Sequence, residues 1–270
     1  MTNARYTVNC SILLTDLPLL ERPAAARAAG FDGVEFWWPF PTSTPEPEDV
    51  DAFVSAIADA GVELTGLNFN AGDMPGGDRG LVSWPERSAQ FRANLDAVTA
   101  IGERTGCNGF NALYGNRIDG VAPAEQDELG AENLALAAQA VARIDGTVLV
   151  EPVSGTPSYP LKTAGDAVAA IDRAGEANIG LLFDVYHLAT NGDDVDAARA
   201  AYASRIAHVQ IADAPGRDQP GTGEAPIARW TQDLLTGGYT GWFGLEYKPA
   251  TPASQADPFA WLPREQRSAH

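Results

Sequence analysis

The fold is decided by one stretch, which reads Asn178-Ile179-Gly180-Leu181-Leu182-Phe183-Asp184-Val185-Tyr186-His187. Its first half is a short apolar run around a glycine, and such a run is typical of a strand buried on both faces in a parallel sheet. The run stops at Asp184, and His187 follows shortly after it. Because a carboxylate at the end of a buried strand costs free energy unless another group pairs with it, this strand end predicts a polar site.

Three further apolar runs end on an oxygen-bearing side chain in the same way. In chain order, the runs and the residues that follow them are Thr147–Val150 with Glu151, Ile206–Val209 with Gln210, and Trp242–Leu245 with Glu246. Four predicted strands therefore each carry one carboxylate or amide at the C-terminal end. The sequence predicts that the rest of the chain holds these four ends together.

Predicted strands and helices alternate along the whole chain. We predict eight of each, from a first strand at Tyr6–Cys10 to a last helix near Pro258–Leu262, and Gly61, Gly106 and Gly175 each stop a helix. Such alternation indicates an α/β fold of parallel βαβ units, and eight units close into a (β/α)8 TIM barrel of about 250 residues. An open doubly wound sheet is the rival, but the G-x-G-x-x-G fingerprint is absent after the first strand.

The chain shows no linker, so we predict a single TIM-barrel domain over residues 1–270. The barrel core spans about residues 6–249, and residues 250–270 form a C-terminal helix and tail. In such barrels the catalytic residues lie at the C-terminal ends of the strands and in the loops that follow them. We therefore expect the four strand-end residues to face one another across the barrel mouth.

The composition is that of a soluble globular protein, with 45% hydrophobic and 20% charged residues. The formal net charge of −18 argues against binding to nucleic acid or to an anionic membrane, because basic patches supply the affinity for both. The sequence shows no charged-then-apolar signal segment, and no apolar run approaches about 18 residues. The expected compartment is the cytoplasm, and the expected partner is a small molecule.

Three carboxylates and one amide make a donor set of oxygen atoms alone. Such a set favours Mg²⁺ or Mn²⁺, with Ca²⁺ as a third candidate, over zinc or copper. Converging carboxylates repel one another unless a cation lies between them. The alternative is that each acid separately caps a helix or pairs with an arginine. An open metal site between two glutamates suits proton transfer next to a carbonyl, a reaction that needs no organic cofactor.

Other polar residues near the strand ends are candidates for substrate contact. His187 is predicted to hydrogen-bond substrate oxygens near the metal, with a packed structural histidine as the alternative. Arg217, in the loop after the seventh strand, would either clamp a carboxylate with two hydrogen bonds or form a surface salt bridge. Asn70, at the end of the third strand, is predicted to contact the substrate, and Lys248, two residues beyond Glu246, is a further candidate for the carboxylate clamp.

Three further features surround the predicted mouth. His208 precedes Gln210 on the same face of its strand and is predicted to be structural. The loop over residues 71–83 has glycines on both sides of its tip, so it is predicted to be either a closing lid or an ordinary flexible loop. Trp37 and Trp38 would wall the mouth or form a subunit contact.

The chain resembles the hydroxypyruvate isomerase family, within the superfamily of xylose-isomerase-like TIM barrels, over about residues 6–249. The segments that carry the resemblance are, in chain order, Glu21 to Phe36, Asn70 to Asp73 with Arg79 to Leu81, Val150 to Pro152, Phe183 to His187, His208 to Ala212 and Glu246 to Pro249. No single segment is specific, but their ordered set is.

The resemblance implies that Glu151, Asp184, Gln210 and Glu246 bind the divalent metal, and that Glu151 and Glu246 also exchange protons with the substrate. The implied reaction interconverts hydroxypyruvate and tartronate semialdehyde through a cis-enediolate. Related ketose 3-epimerases carry a histidine where Gln210 stands, so this residue favours the hydroxypyruvate isomerase branch. Isomerases of 2-oxo-tetronates share that branch. The family also suggests a homo-oligomer, either a dimer or a tetramer.

Three other functions stay open at this point. A ketose 3-epimerase would use the same scaffold. A barrel that binds a sugar or an acid without catalysis is disfavoured, because both glutamates are present. A DNA-repair endonuclease on a related barrel needs several histidines around zinc, whereas this chain has 3 histidines, including His270 at its end, and a charge that repels DNA.

Overall fold

Eight parallel strands close into a barrel in the computed structural model, which describes residues 4–250 and 256–268. In chain order the strands are β1 (Arg5–Asn9), β2 (Gly33–Phe36), β3 (Glu63–Asn68), β4 (Gly109–Asn111), β5 (Thr147–Val150), β6 (Ile179–Asp184), β7 (Ile206–Ile211) and β8 (Trp242–Leu245). Each strand pairs with the next in the chain, and β8 closes the ring against β1, where Arg5 lies opposite Trp242. The predicted (β/α)8 barrel is confirmed.

Helices surround the barrel on its outside. Within the described residues they are α1 (Arg22–Ala28), α2 (Pro47–Ala60), α3 (Ser88–Thr105), α4 (Pro123–Ala142), α5 (Ala164–Ala174), α6 (Val185–Asn191), α7 (Val195–Tyr202) and α8 (Ile227–Thr236). None of these is both long and apolar enough to span a lipid bilayer. Gly61, Gly106 and Gly175 adopt left-handed conformations at the ends of α2, α3 and α5, which confirms them as helix stops.

Two helices differ from the sequence prediction. α6 begins directly after β6, where the sequence pattern predicts none, because the Asp184 side chain accepts hydrogen bonds from the backbone N–H groups of Tyr186 and His187 and so caps the helix. The predicted last helix near Pro258–Leu262 is wrong. Those residues form turns, and a 3-10 helix follows at Arg264–Gln266, since the prolines that bound the segment leave too few residues for a stable helix.

Apolar side chains fill the space between the barrel and the helices. Every residue of β6 is buried, as predicted for a strand covered on both faces. Phe36 on β2 packs edge-on against Phe53 on α2, with ring centroids 5.1 Å apart. Phe69, after β3, lies 5.5 Å from Phe91 on α3. Because these contacts lie outside the barrel, they fix the positions of the strands without occupying the mouth.

The loop between β3 and α3 is held against the barrel by Gly80. This glycine has a φ of +110° and pairs with Tyr114 in an isolated bridge. A Cβ atom at this position would lie 1.8 Å from the carbonyl oxygen of Leu113. Since no side chain fits there, glycine lets the loop backbone approach the segment after β4 and brings Arg79 to the barrel mouth.

We predict that Gly80→Ala destabilises the protein more than Gly77→Ala in the same loop. Gly77 has a nearly equal φ of +109°, but open space surrounds the position that its Cβ would take. Backbone strain alone should lower the free energy of unfolding by about 1 kcal/mol in Gly77→Ala. The added clash should bring the loss in Gly80→Ala to about 3 kcal/mol. Urea denaturation measures both losses, and equal losses would contradict the close approach.

Candidate active site

A cavity of about 520 Å³ opens at the C-terminal end of the barrel. Its walls include Glu151 and Glu246 after their strands, His187 from α6 and Arg217 from the loop after β7. A neighbouring cavity of about 440 Å³ shares Trp37 with it. Side chains from distant parts of the sequence thus surround one opening.

Each predicted carboxylate has one oxygen fixed by hydrogen-bond donors of the protein. Oε2 of Glu151 accepts from Nδ2 of Asn111 at 2.7 Å, and Oε1 of Glu246 accepts from Nε1 of Trp37 at 2.9 Å. Oδ1 of Asp184 accepts the two backbone hydrogen bonds that cap α6. All three carboxylates are buried. These donors therefore offset part of the cost of removing the charges from water.

Among the residues that the structure describes, the second polar atom of each predicted metal ligand has no hydrogen-bond partner. Asp184 and Gln210 lie side by side in the register of β6 and β7, and both are buried beside the cavity without lining it. Nε2 of Gln210 donates to Oε1 of Glu35 at 2.8 Å, whereas Oδ2 of Asp184 and Oε1 of Gln210 have no hydrogen-bond partner. Among the described residues, none donates a hydrogen bond to Oε1 of Glu151 or to Oε2 of Glu246.

This set of oxygen atoms fits a hard divalent cation. A carboxylate oxygen of Glu151 and one of Asp184 lie within 4.8 Å of each other, and a ring nitrogen of His187 lies within the same distance of both. Carboxylate and amide oxygens suit Mg²⁺ or Mn²⁺, and a cation would supply the missing partner for the buried oxygens of Asp184 and Gln210. Glu246 is outside that close group, and its Oε1 forms a 3.0 Å ion pair with Arg217.

The protonation of His187 makes it a hydrogen-bond donor rather than a metal ligand. The backbone N–H of Ser154 donates to Nδ1 of His187 at 2.9 Å, so the ring proton is on Nε2. Burial, reinforced by the positive charge of Arg217, lowers the pKa of His187 well below its usual value, so the ring is neutral. Its Nε2 lies 3.8 Å from both Oε1 of Glu151 and Oδ2 of Asp184. A ring nitrogen that carries a hydrogen has no lone pair for a cation, but it can donate a hydrogen bond to a substrate oxygen.

Burial raises the pKa of each carboxyl group in the site. It raises the pKa of Glu246 to about 8, with Arg217 opposing the shift and Asp184 adding to it. It raises the pKa of Asp184 to about 6, again against the effect of Arg217. The pKa of Glu151 lies well above its usual value, because repulsion from Glu246 and Asp184 adds to burial. Groups shifted in this direction exchange protons more readily near neutral pH.

Arg217 is engaged inside the site. Besides the ion pair with the Glu246 carboxylate, its Nε donates to the backbone oxygen of Glu246 at 3.2 Å. Its guanidinium lies 5.4 Å from the centre of the Tyr186 ring. The backbone φ of Arg217 is +61°, a conformation that costs free energy in a residue with a side chain. The fold thus holds this cation against a predicted catalytic carboxylate, and a clamp on a substrate carboxylate stays a prediction.

Sequence reasoning missed Arg79, which lines the cavity from the loop after β3. Its Nη1 donates to the backbone oxygens of Met74 at 2.9 Å and Asp78 at 2.6 Å. Within residues 4–250 and 256–268 it forms no ion pair, so no protein carboxylate neutralises its charge. The signal available in the sequence was the Arg79-Gly80 pair, since Gly80 is what places this loop.

The other two candidates for substrate contact lie at the edge of the site. Asn70 lines the neighbouring cavity rather than the main one, and its Oδ1 accepts from the backbone N–H of Gly72 at 2.8 Å. Asn68, at the end of β3, lines both cavities. Lys248 lines the main cavity, but it is an exposed residue. Substrate contact by Asn70 and by Lys248 stays a prediction.

The sequence and the barrel fold agree with a known family. The sequence profile described as xylose isomerase-like TIM barrel matches residues 23–265. The chain belongs to this family.

Three relatives of this xylose isomerase-like chain carry the names of isomerases. A Streptomyces coelicolor protein named "Putative hydroxypyruvate isomerase" is 54% identical over 98% of both chains. The Escherichia coli protein named hydroxypyruvate isomerase is 31% identical over 92% of this chain and 94% of its own length. A Cupriavidus necator protein named 2-oxo-tetronate isomerase is 34% identical over 96% of this chain and 97% of its own. The chain is an isomerase of the xylose isomerase-like family.

A solved structure shares the xylose isomerase-like barrel along nearly the whole chain. It is the crystal structure of a Brucella melitensis protein described as AP endonuclease, family 2, with a TM-score of 0.86 and 29% identity over 96% of this chain and 97% of that one. In the part of the present chain that the structure describes, His187 and His208 are the histidines, and His187 alone lines the mouth. A site built from several histidines is therefore not formed by these residues.

We predict that the metal-depleted protein loses stability as the pH rises through the range in which Glu246 titrates. Burial raises the pKa of Glu246 from 4.5 to about 8. Between these values the folded state keeps a proton that the unfolded state has released, so rising pH favours unfolding. Glu246→Gln should make this slope shallower, and the raised pKa values of Asp184 and Glu151 should account for the slope that remains. Thermal unfolding after chelator treatment, followed across the range, measures it, and a melting temperature that climbs with pH would contradict the assignment.

Asp196→Asn is the matched control for this measurement. Hydrogen bonding from Arg229 lowers the pKa of Asp196 from 3.8 to about 2. Its contribution to stability is therefore lost only as the pH falls below the range of Glu246. The control variant should keep the wild-type slope.

Proposed function

We propose that the chain is a metal-dependent isomerase that interconverts hydroxypyruvate and tartronate semialdehyde (2-hydroxy-3-oxopropanoate). One observation carries the proposal: four strand-end side chains each fix one polar atom to the protein and leave one oxygen without a partner. These side chains are Glu151, Asp184, Gln210 and Glu246. The names of two relatives support hydroxypyruvate as the substrate.

The same four residues are the proposed ligands of a divalent cation, with Mg²⁺ or Mn²⁺ as the candidates. When bound, the cation supplies positive charge to the carbonyl and hydroxyl oxygens of the substrate. Arg217 and Trp37 both contact Oε1 of Glu246, so its Oε2 is available to the cation or to a proton. Arg217 also adds positive charge beside these acids, which favours their ionised forms.

Glu151 and Glu246 are the proposed acid and base. One of them removes a proton from C3 of hydroxypyruvate, and the electron pair moves into the C2–C3 double bond of an enediolate. A proton then returns to C2, and the C3 hydroxyl proton moves to the C2 oxygen, which yields the aldehyde. The raised pKa values of both carboxyls favour these transfers near neutral pH. The neutral His187 would donate its Nε2–H to a substrate oxygen between Glu151 and Asp184.

Arg79 is the proposed partner of the substrate carboxylate. A carboxylate ligand requires a cation that is not already paired, and Arg217 is paired with Glu246. The carbonyl groups of Met74 and Asp78 hold Nη1 of Arg79 and leave its other N–H groups for a ligand. Arg79 is also close enough to His187 to lower the pKa of that ring, after burial and Arg217.

Isomerisation of 2-oxo-tetronate is the second candidate function. The name of the Cupriavidus relative supports it. A cavity of about 520 Å³ accommodates a four-carbon acid as well as a three-carbon acid, and both substrates present a carboxylate, a 2-oxo group and a 3-hydroxyl group. A ketose 3-epimerase is less well supported, because a ketose has no carboxylate for Arg79.

Cytoplasmic location and assembly into a dimer or tetramer stay predictions.

Of the two tryptophans near the mouth, Trp37 walls the main cavity and Trp38 lines only the neighbouring one. The Trp38 ring packs edge-on against Phe40 at 5.1 Å, so part of it is already covered within the chain.

We predict that the metal-depleted protein exchanges the C3 proton of hydroxypyruvate only after Mg²⁺ or Mn²⁺ is added. NMR in D₂O should then show deuterated tartronate semialdehyde. Glu151→Gln and Glu246→Gln should each lower the rate by about 10²–10⁴-fold, because each removes a proton-transfer group. Glu132→Gln, at an exposed site on α4, is the matched control and should keep wild-type activity.

The same assay separates the competing substrates. Turnover of 2-oxo-tetronate with none of hydroxypyruvate would replace the first candidate function by the second. Turnover of ketoses alone would make the chain an epimerase. If a folded protein that binds the metal turns over none of these compounds, the catalytic proposal is contradicted.

We predict that Arg79→Met raises the KM for hydroxypyruvate by about 10–100-fold, because it removes a charge-assisted hydrogen bond worth about 1.5–3 kcal/mol. The KM for dihydroxyacetone, an analogue without the carboxylate, should change little. Arg143→Met is the matched control, since the Arg143 side chain is exposed and lies 3.6 Å from Asp96. An equal change in the KM values of both substrates in Arg79→Met would show that Arg79 does not bind the carboxylate.

A further inference from the structure

A buried carboxylate that none of the proposed chemistry uses lies inside the barrel. Glu35 points inward from β2 and is only 3% exposed. Its Oε1 accepts from Nδ2 of Asn9 at 3.2 Å and from Nε2 of Gln210 at 2.8 Å. Its Oε2 lies 2.8 Å from Nε2 of His208. Burying a carboxylate without this set of donors would cost several kcal/mol, and the donors come from two strands, β1 and β7.

Glycines on two other strands make the room for this carboxylate. A Cβ atom on Gly244 would lie 2.6 Å from Oε1 of Glu35 and 2.8 Å from Cγ of Gln210. A Cβ atom on Gly66 would lie 3.3 Å from Cβ of Glu35. The barrel interior is therefore shaped around the contact between Glu35 and Gln210.

This contact decides which end of the Gln210 amide faces the predicted metal site. A carboxylate oxygen only accepts hydrogen bonds, so Oε1 of Glu35 requires the NH₂ end of the amide. The amide oxygen is then turned away from Glu35 and is left buried without a partner. Rotating the amide by half a turn would set two oxygens against each other and direct NH₂ hydrogens toward the carboxylates of the site.

We infer that Glu35 is a positioning residue that fixes Gln210 with its oxygen available to the cation. The inference rests on the proposed metal site. The adjacent strand already places Gln210 beside Asp184 in register, so the orientation of the amide is the remaining freedom that Glu35 removes. Groups that orient a metal ligand in this way typically change metal affinity by about 10–100-fold.

The alternative role for Glu35 is structural, as the partner of His208. The His208 contact uses Oε2 and the Gln210 contact uses Oε1. Changing His208 or Gln210 separately therefore distinguishes the two roles of Glu35. His208→Gln keeps an N–H donor near Oε2 and does not touch the contact with Gln210.

The test is a calorimetric titration of the metal-depleted proteins with Mn²⁺. Wild-type protein should bind one ion, E35Q should bind about 10–100-fold more weakly, and His208→Gln should stay within about 3-fold of wild type. In E35Q/Q210E the donor and the acceptor exchange sides of the same contact, so affinity should return to the wild-type range. Q210E alone sets two carboxylates against each other and completes the cycle.

Each result bears on a different part of the hypothesis. Failure of wild-type protein to bind Mn²⁺ would overturn the proposed metal site itself. Wild-type binding together with equal binding by E35Q, or with additive effects of the two single substitutions, would overturn the role of Glu35 alone. Equal weakening by E35Q and His208→Gln would assign Glu35 to structure.

If E35Q does not fold, the double variant E35Q/Q210E still tests the inference. The double variant E35Q/Q210E should then recover both the circular dichroism spectrum and the Mn²⁺ affinity. If the double variant also fails to fold, the reversed contact does not replace the native one, and the positioning role is rejected.

Discussion

Repulsion between buried carboxylates is the constraint on which the mouth of this barrel depends. Glu151, Asp184 and Glu246 are almost completely shielded from water, and burial together with repulsion from Asp184 raises the pKa values of both glutamates. Such a cluster is stable only when each charge is met by donors or a cation, or is neutralised by a proton. The donors here come from an asparagine, a tryptophan, an arginine and a helix N-terminus. Each leaves one carboxylate oxygen unused, which is why the site suits a cation.

The two arginines at the mouth have different electrostatic roles. Arg217 is held in a left-handed backbone conformation against Glu246, so its charge is committed to the protein. Arg79 is held by carbonyl oxygens, which fix its position, and it forms no ion pair with the residues that the structure describes. In the proposed reaction, Arg217 would stabilise the ionised acids and Arg79 would attract the substrate carboxylate.

Hydrogen bonds in the barrel interior, below the mouth, hold a further buried carboxylate. Glu35 accepts from Gln210 on one oxygen and lies beside His208 on the other. A narrow barrel normally fills its interior with apolar side chains, and a carboxylate there requires both donors and space. Gly66 and Gly244 provide the space. The interior layer therefore connects the structure of the barrel to the orientation of a proposed metal ligand.

The sequence by itself determined the barrel and the four strand-end residues. Burial on both faces and the strand-helix alternation are local patterns, and parallel closure brings C-terminal strand ends together whatever the loops do. Local patterns also identified the helix stops at Gly61, Gly106 and Gly175, because a left-handed backbone is easiest for glycine. The same reasoning failed at Pro258–Leu262, where helix propensity carried no information about the short distance between prolines.

Only the tertiary structure decided how those residues are paired. The donors to Glu151 and Glu246 are Asn111 and Trp37, which lie 40 and 209 positions away in the chain, and no local pattern links them. The same holds for Glu35 and Gln210, separated by 175 positions. Hydrogen-bond partners, the protonated nitrogen of His187 and the unpaired charge of Arg79 all depend on which side chains meet across the closed ring. That meeting is set by strand register and loop placement, which are properties of the folded chain.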